Sequence, residues 1–140
     1  MTIKETGDQI IEEFSQFDDW MDKYNYLIEL GKSLPVIDEK MKNDSNLIVG
    51  CQSKVWISAS FENGLVHFRA DSDAIITKGL ISLMIRALSG HTPDEIMAAD
   101  VSFINSTGLQ EHLSPTRSNG LLAMIKQMRF YAMAYKAKSL

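Results

Sequence analysis

Cys51 is the only thiol in this 140-residue chain, and its solitude limits the chemistry open to it. It has no partner for an internal disulfide. With only three histidines beside it, His67, His91 and His112, it cannot furnish a thiolate-rich zinc or iron–sulfur cage. A dithiol exchange site would need a second cysteine at position 54, which is Lys54. What survives is one-thiol chemistry: attack on a donor sulfur, storage of the terminal sulfur as a persulfide, and release to a stronger acceptor. Carrying a group in this way needs no local base. A nucleophile–base pair would need a histidine held against the sulfur, yet His67 falls on an expected strand, His91 precedes a helix cap and His112 lies in an expected loop. Each reads better as a surface or satisfied core residue. A lone cysteine is otherwise a small buried hydrophobe. Its neighbours tip the balance toward a presented thiol, since Gly50 permits a tight turn and Gln52 and Ser53 add hydrogen-bonding groups that packing alone does not require. Lys54 and Arg117 are the cations that could favour the thiolate.

The elements that must position Cys51 follow from periodicity. Ile10, Ile11, Phe14 and Phe17 recur at helical spacing. Asp18 can then cap a second helix through Trp20, Tyr24, Leu27, Ile28 and Leu34, stopped at Pro35, so the two form a helical hairpin. From Pro35 to Asn46 the sequence reads as loop with a short helical turn. Leu47-Ile48-Val49 is β-prone, Gly50 to Ser53 interrupts it, and Lys54 to Phe61 resumes with Val55, Ile57, Ala59 and Phe61 on one face. Asn63-Gly64 then marks a tight hairpin to a partner strand over Leu65 to Ala70. The expectation is a three-stranded antiparallel sheet with Cys51 on a turn between strands.

Asp71 or Ser72 can cap a helix from Asp73, with Ile76, Leu80, Leu83, Met84, Ala87 and Leu88 inward and Gly90 as terminator. Thr92-Pro93-Asp94-Glu95 combines a capping box with a first-turn proline, a specific start signal for a short helix. A last helix runs from about Ser118 to Lys138 on a stripe of Leu121, Ile125, Met128, Ala132 and Tyr135. Helices, strands, then helices again make a segregated α+β domain over residues 1–140 rather than alternating βαβ units, which excludes a Rossmann architecture.

Composition narrows the partners. Fourteen Lys and Arg against eighteen Asp and Glu leave a net charge of −4 with no basic stripe, a poor match to nucleic acid. The apolar runs fall far short of the roughly 20 residues needed to span a bilayer, and the first residues lack the apolar stretch of a secretory signal, so a cytoplasmic location is expected. The eight Met are core gap-fillers rather than a metal box.

The run Gly50-Cys51-Gln52-Ser53-Lys54-Val55-Trp56-Ile57 resembles the signature of the SufE family, the sulfur-accepting partners of cysteine desulfurases. Three further blocks are similar in order and spacing. Tyr24 to Pro35 looks like the family's second helix, Asp71-Ser72-Asp73-Ala74 with Lys78-Gly79-Leu80 like its central helix start, and His112 to Leu121 like a fourth block. Ala70 departs from relatives that place Gly there. The resemblance implies a SufE/IscU-like fold with helices packed on one side of the sheet. It also implies that Cys51 accepts sulfur from the persulfide of a SufS-type desulfurase and raises that enzyme's turnover, and that the sulfur passes on to a SufBCD-type scaffold. No cofactor is implied here, because the PLP belongs to the desulfurase, and the chain would be a monomer or weak homodimer. IscU-type scaffolds need three cysteines for their cluster, so cluster assembly on this chain is disfavoured by ligand count. By position, Gly50, Gln52, Ser53, Trp56, Asp73 and Arg117 are candidates for the Cys51 neighbourhood or the desulfurase interface. Against that stand plainer roles: Asp73 as a helix N-terminal acid, Arg117 as a surface ion-pair partner and Trp56 as core.

A persulfide open to cellular thiols would lose its sulfur, so the same reading expects Cys51 to fold inward between partners and swing out when one arrives. Two other readings stay open at this level: a cysteine-nucleophile transferase or hydrolase, and an interaction module in which Cys51 is incidental.

Overall fold

A computed structural model describes residues 1–48, 53–109 and 115–138, with residues 115–119 in backbone only. Helix α1 (Ile3–Ser15) begins well before the Ile10 periodicity, because Thr2 and Glu5 form a capping box with reciprocal side-chain-to-backbone hydrogen bonds of 3.0 Å. Helix α2 (Trp20–Gly31) is capped one residue later than expected. Asp19, not Asp18, accepts the Met21 N–H at 3.0 Å. The two helices meet at Tyr26, whose ring packs against Phe14 and Phe17 and whose hydroxyl donates to Glu13 at 2.6 Å.

A short 3-10 turn (Glu39–Met41) leads to strand β1 (Val55–Glu62), which pairs antiparallel with β2 (Leu65–Ser72). Asn63 and Gly64 both take positive φ, 54° and 77°, the conformation a tight two-residue hairpin requires. Register places Ile57 opposite Ala70, Ala59 opposite Phe68 and Phe61 opposite Val66 on the core face. On the other face Trp56 lies opposite Asp71 and Ser60 opposite His67. Among the described residues the sheet has two strands, not three. The Leu47 run contributes a single antiparallel bridge, Leu47 to Trp56, through Ile48 N–H to Val55 O (2.8 Å) and Ile57 N–H to Asn46 O (3.0 Å). It cannot extend backward. The preceding residues are turned onto themselves, with Asn46 N–H bonded to Asn43 O and Leu47 N–H to Asp44 O, so no ladder is built on that side.

Helix α3 (Ile75–Leu88) starts two residues later than expected, and neither Asp71 nor Ser72 is its N-cap residue. Strand β2 runs on through Ser72, and Asp73 is tied to β1 in a bend ahead of the helix, its N–H and its carboxylate both bonding the Lys54 backbone. Gly90 follows the end of α3 at φ 81°, donating its N–H to Val66 O at 2.7 Å. Helix α4 (Pro93–Ala98) carries the expected capping box between Thr92 and Glu95. Helix α5 (Phe103–Ser106) is a single turn. Helix α6 (Pro115–Lys138) starts three residues before Ser118, a proline being well suited to a first helical turn.

Helix α3 lies at the centre. Leu80, Leu83, Met84 and Leu88 are buried with Phe14 of α1, Leu27 of α2, Ile57 and Phe68 of the sheet, Ile96 of α4 and Met128 of α6. Helices α2 and α3 approach so closely that a Cβ on Gly31 would sit 2.9 Å from Gly79 N, and one on Gly79 would sit 2.5 Å from Leu27 Cγ. Only glycine fits there. No described helix is long and apolar enough to cross a membrane.

Candidate functional site

Gly50, Cys51 and Gln52 lie outside the described residues, so the site is defined by what holds the chain on either side of them. Before the segment, Asn46 is a buried hub. Its side-chain N–H donates to Met41 O at 2.8 Å, its Oδ1 lies 3.0 Å from the Tyr131 hydroxyl, and that hydroxyl is also 3.0 Å from Ile57 O. Ile48 is then fixed by its bond to Val55. After the segment, Ser53 leads into Lys54, whose backbone is bonded three times. Lys54 N–H donates to Asp73 Oδ1 (3.0 Å), and Lys54 O accepts from Asp73 N–H (3.2 Å) and from Ser72 Oγ (2.8 Å). Two anchors therefore hold the segment's ends at one edge of the hairpin, one from α6 and one from the β2–α3 junction.

The charges at this edge are matched. Asp71 is mostly buried and takes Lys42 Nζ at 2.6 Å, Lys78 Nζ at 3.2 Å and the Ser72 N–H at 2.8 Å. Burial pushes the Asp71 carboxyl up, but the hydrogen bonds from Lys42, Ser72 and Lys78 outweigh it and hold the group below its ordinary value. Lys42 also pairs with Glu39 at 2.9 Å and stands 5.6 Å from the centre of the Trp56 ring. Its bonds to Asp71 and Glu39 hold its ammonium above the ordinary lysine range.

Of the residues singled out from sequence, Ser53, Trp56 and Asp73 come together here. Asp73 is a backbone clamp, a role distinct from a helix N-terminal acid. Trp56 is half-buried on the outer sheet face, not core. Arg117 lies in the first turns of α6 and its side chain is outside the described set. The chain entering 110–114 is also held: Lys23 Nζ donates to Thr107 O at 3.0 Å and the Tyr24 hydroxyl to Leu109 O at 3.3 Å. His67 is exposed on β2, and His91 Nδ1 is 3.4 Å from Glu95; His112 is outside the described residues. Among the described residues no three His, Cys, Asp or Glu side chains converge in a way that could hold a metal ion.

Local sequence pattern does not mark Lys42, Asn46 or Tyr131 as site residues, and it marks Asp71 only as a cap and as part of the block at the start of the central helix. Their contacts join positions far apart in the chain, and nothing in local pattern marks them. Chemically, the arrangement fixes a short segment by its ends, through main-chain bonds and paired charges.

Comparison with known proteins finds relatives over most of the chain. A sequence profile described as a SufE, Fe–S metabolism associated domain matches residues 8–132. An uncharacterized SufE-like protein of Rhizobium etli is 43% identical over 127 residues, covering 87% of this chain and 86% of its own length. A SufE-like protein of Rhizobium meliloti is 39% identical over 127 residues (87% and 91%), and one of Synechocystis 40% over 128 (91% and 80%). The solution structure of a hypothetical protein from Thermus thermophilus is similar in fold, with a TM-score of 0.76 at 21% identity, over 92% of this chain and 94% of that one. The chain belongs to the SufE family and has a role in Fe–S metabolism.

Proposed function

We propose that this protein is a sulfur carrier whose Cys51 accepts sulfane sulfur from a PLP-dependent cysteine desulfurase of the SufS type. The carrier stimulates that enzyme and hands the sulfur to an iron–sulfur assembly scaffold of the SufBCD type. The observation that carries this reading is a family tied to Fe–S metabolism in a chain with one thiol. The framed edge supports it, because the chain is pinned on either side of the segment that holds Cys51, at Ile48 and at Lys54.

The step is a thiolate exchange. Cys51, deprotonated to solvent, attacks the terminal sulfur of the donor's cysteine persulfide. A new S–S bond forms on Cys51, the donor's S–S bond breaks, and its cysteine leaves as a thiolate. Sulfane sulfur moves with no net oxidation or reduction. Delivery repeats the exchange with an acceptor thiolate and restores Cys51.

The test mixes the protein with a SufS-type desulfurase and cysteine, follows alanine production, and weighs the chain by mass spectrometry. The expected result is one added sulfur atom on Cys51 and faster alanine release, both lost in Cys51→Ala while binding to the desulfurase persists. Full stimulation by Cys51→Ala would overturn the reading.

A further inference from the structure

Helix α6 is apolar on two opposite sides. Its inner side buries Leu121, Met124, Ile125, Met128 and Ala132, while Leu122, Phe130 and Met133 are 63%, 55% and 49% exposed. At about 100° per residue, Leu122, Lys126, Arg129, Phe130 and Met133 share one stripe roughly 100° wide, and Leu122 lies about 180° from Tyr131, which faces the Cys51-framing anchor. The stripe is therefore directed away from the edge described above.

Charge separates this helix from the rest of the molecule. Residues 115–138 contain five cations and no carboxylate, whereas the remainder carries nine Lys and Arg against eighteen Asp and Glu. Beside the stripe, a cleft of about 300 Å³ opens between α6 and residues 99–105, walled by Val101, Ile104, Asn105, Leu122, Ile125 and Arg129. Arg129 Nη2 donates to Ala99 O at 2.7 Å, but its Nε is buried with no hydrogen-bond partner among the described residues. A buried N–H without an acceptor is costly. Asp100, the acid on the cleft wall, accepts the Ser102 N–H at 2.9 Å.

We propose that the outer face of α6 docks an acidic, amphipathic segment of a partner protein. Bulky apolar side chains of that segment enter the cleft and cover Phe130 and Met133, and its carboxylates meet Lys126 and Arg129. A second copy of this chain bound through the same face would set those cations against their own images. An anionic membrane would be repelled by the acidic remainder of the chain and has no use for a walled cleft. Because the face lies opposite the Tyr131 side of α6, the docked segment leaves the Cys51 edge open.

The test titrates isotope-labelled full-length protein with a synthetic helical peptide bearing Leu and Phe on one face and Glu on the other. Saturable amide shifts confined to α6 and residues 99–105 are expected, weakened by salt, with affinity about tenfold lower in Phe130→Ser. Met133→Gln should weaken binding in the same direction, and an unchanged unfolding midpoint in both variants excludes misfolding. Any of four results would overturn the proposal: no saturable shifts, equal shifts from the peptide with Lys in place of Glu, a response to phosphatidylglycerol vesicles in place of the peptide, or self-association through these amides.

Discussion

The hairpin edge that frames Cys51 and the outer face of α6 are built on opposite plans. At the edge, Asp71, Lys42, Lys78, Glu39 and the Lys54 backbone all have partners, and the partners come from distant parts of the chain. On α6, three large apolar side chains stand in solvent among cations. Internal matching of charge fixes geometry, whereas apolar surface left in solvent is chemistry reserved for another molecule. The first region is thus made to position its own chain and the second to be covered.

Substitutions should separate the two plans, since each acts on one region and spares the other. Gly79→Ala should have the largest effect. The new Cβ would sit 2.5 Å from Leu27 Cγ and 2.6 Å from Leu27 O, forcing α3 from its notch at a cost of about 3 kcal/mol, read as a lower urea midpoint. The edge would loosen with it, because Lys78 and the clamp at Asp73 ride on α3 and its junction with β2. Asp71→Asn comes next, at about 1–2 kcal/mol at pH 7, because two lysines lose their shared carboxylate at a partly screened site. Asp71 has a folded pKa below its unfolded one. Its contribution is therefore complete above the unfolded value of about 3.9 and is lost as pH falls through the folded value. Asp71→Asn should remove that part of the acid loss in urea unfolding followed across pH. Smallest is Leu122→Ser, expected to shift stability by no more than about 0.5 kcal/mol, since the side chain is already in water. A large loss there would show that the α6 stripe is structural and erase the contrast.

How legible each part was in the sequence depended on whether its cause was local. Asn63-Gly64 and Thr92 to Glu95 carry their conformations in adjacent residues, and both were readable. Leu121, Ile125, Met128 and Ala132 repeat at one period and revealed the inner face of α6. Thr2 and Glu5 were equally readable but were overshadowed by the stronger periodicity from Ile10, since the first turns of α1 bury the small residues Thr6 and Gly7. The missing third strand turned on Asn46, a polar residue whose burial depends on Tyr131, 85 positions away. Its bonds keep the extended run from reaching back past Leu47. The Asp71 cluster and the Lys54 clamp were hidden for the same reason: each lysine or aspartate reads as a solvated charge until the partner strand or helix is in place. The functional assignment came from the motif around Cys51, and the framing residues could be named only from the fold.

The near-contact of Gly31 with Gly79 has a mechanical consequence. With no side chain between the two main chains, α2 and α3 have no cushion to compress, and sliding would require Gly79 to leave its seat against Leu27. The pair behaves as one strut. A displacement of the first turn of α3 would therefore be shared with α2 and with the aromatic contacts at Tyr26.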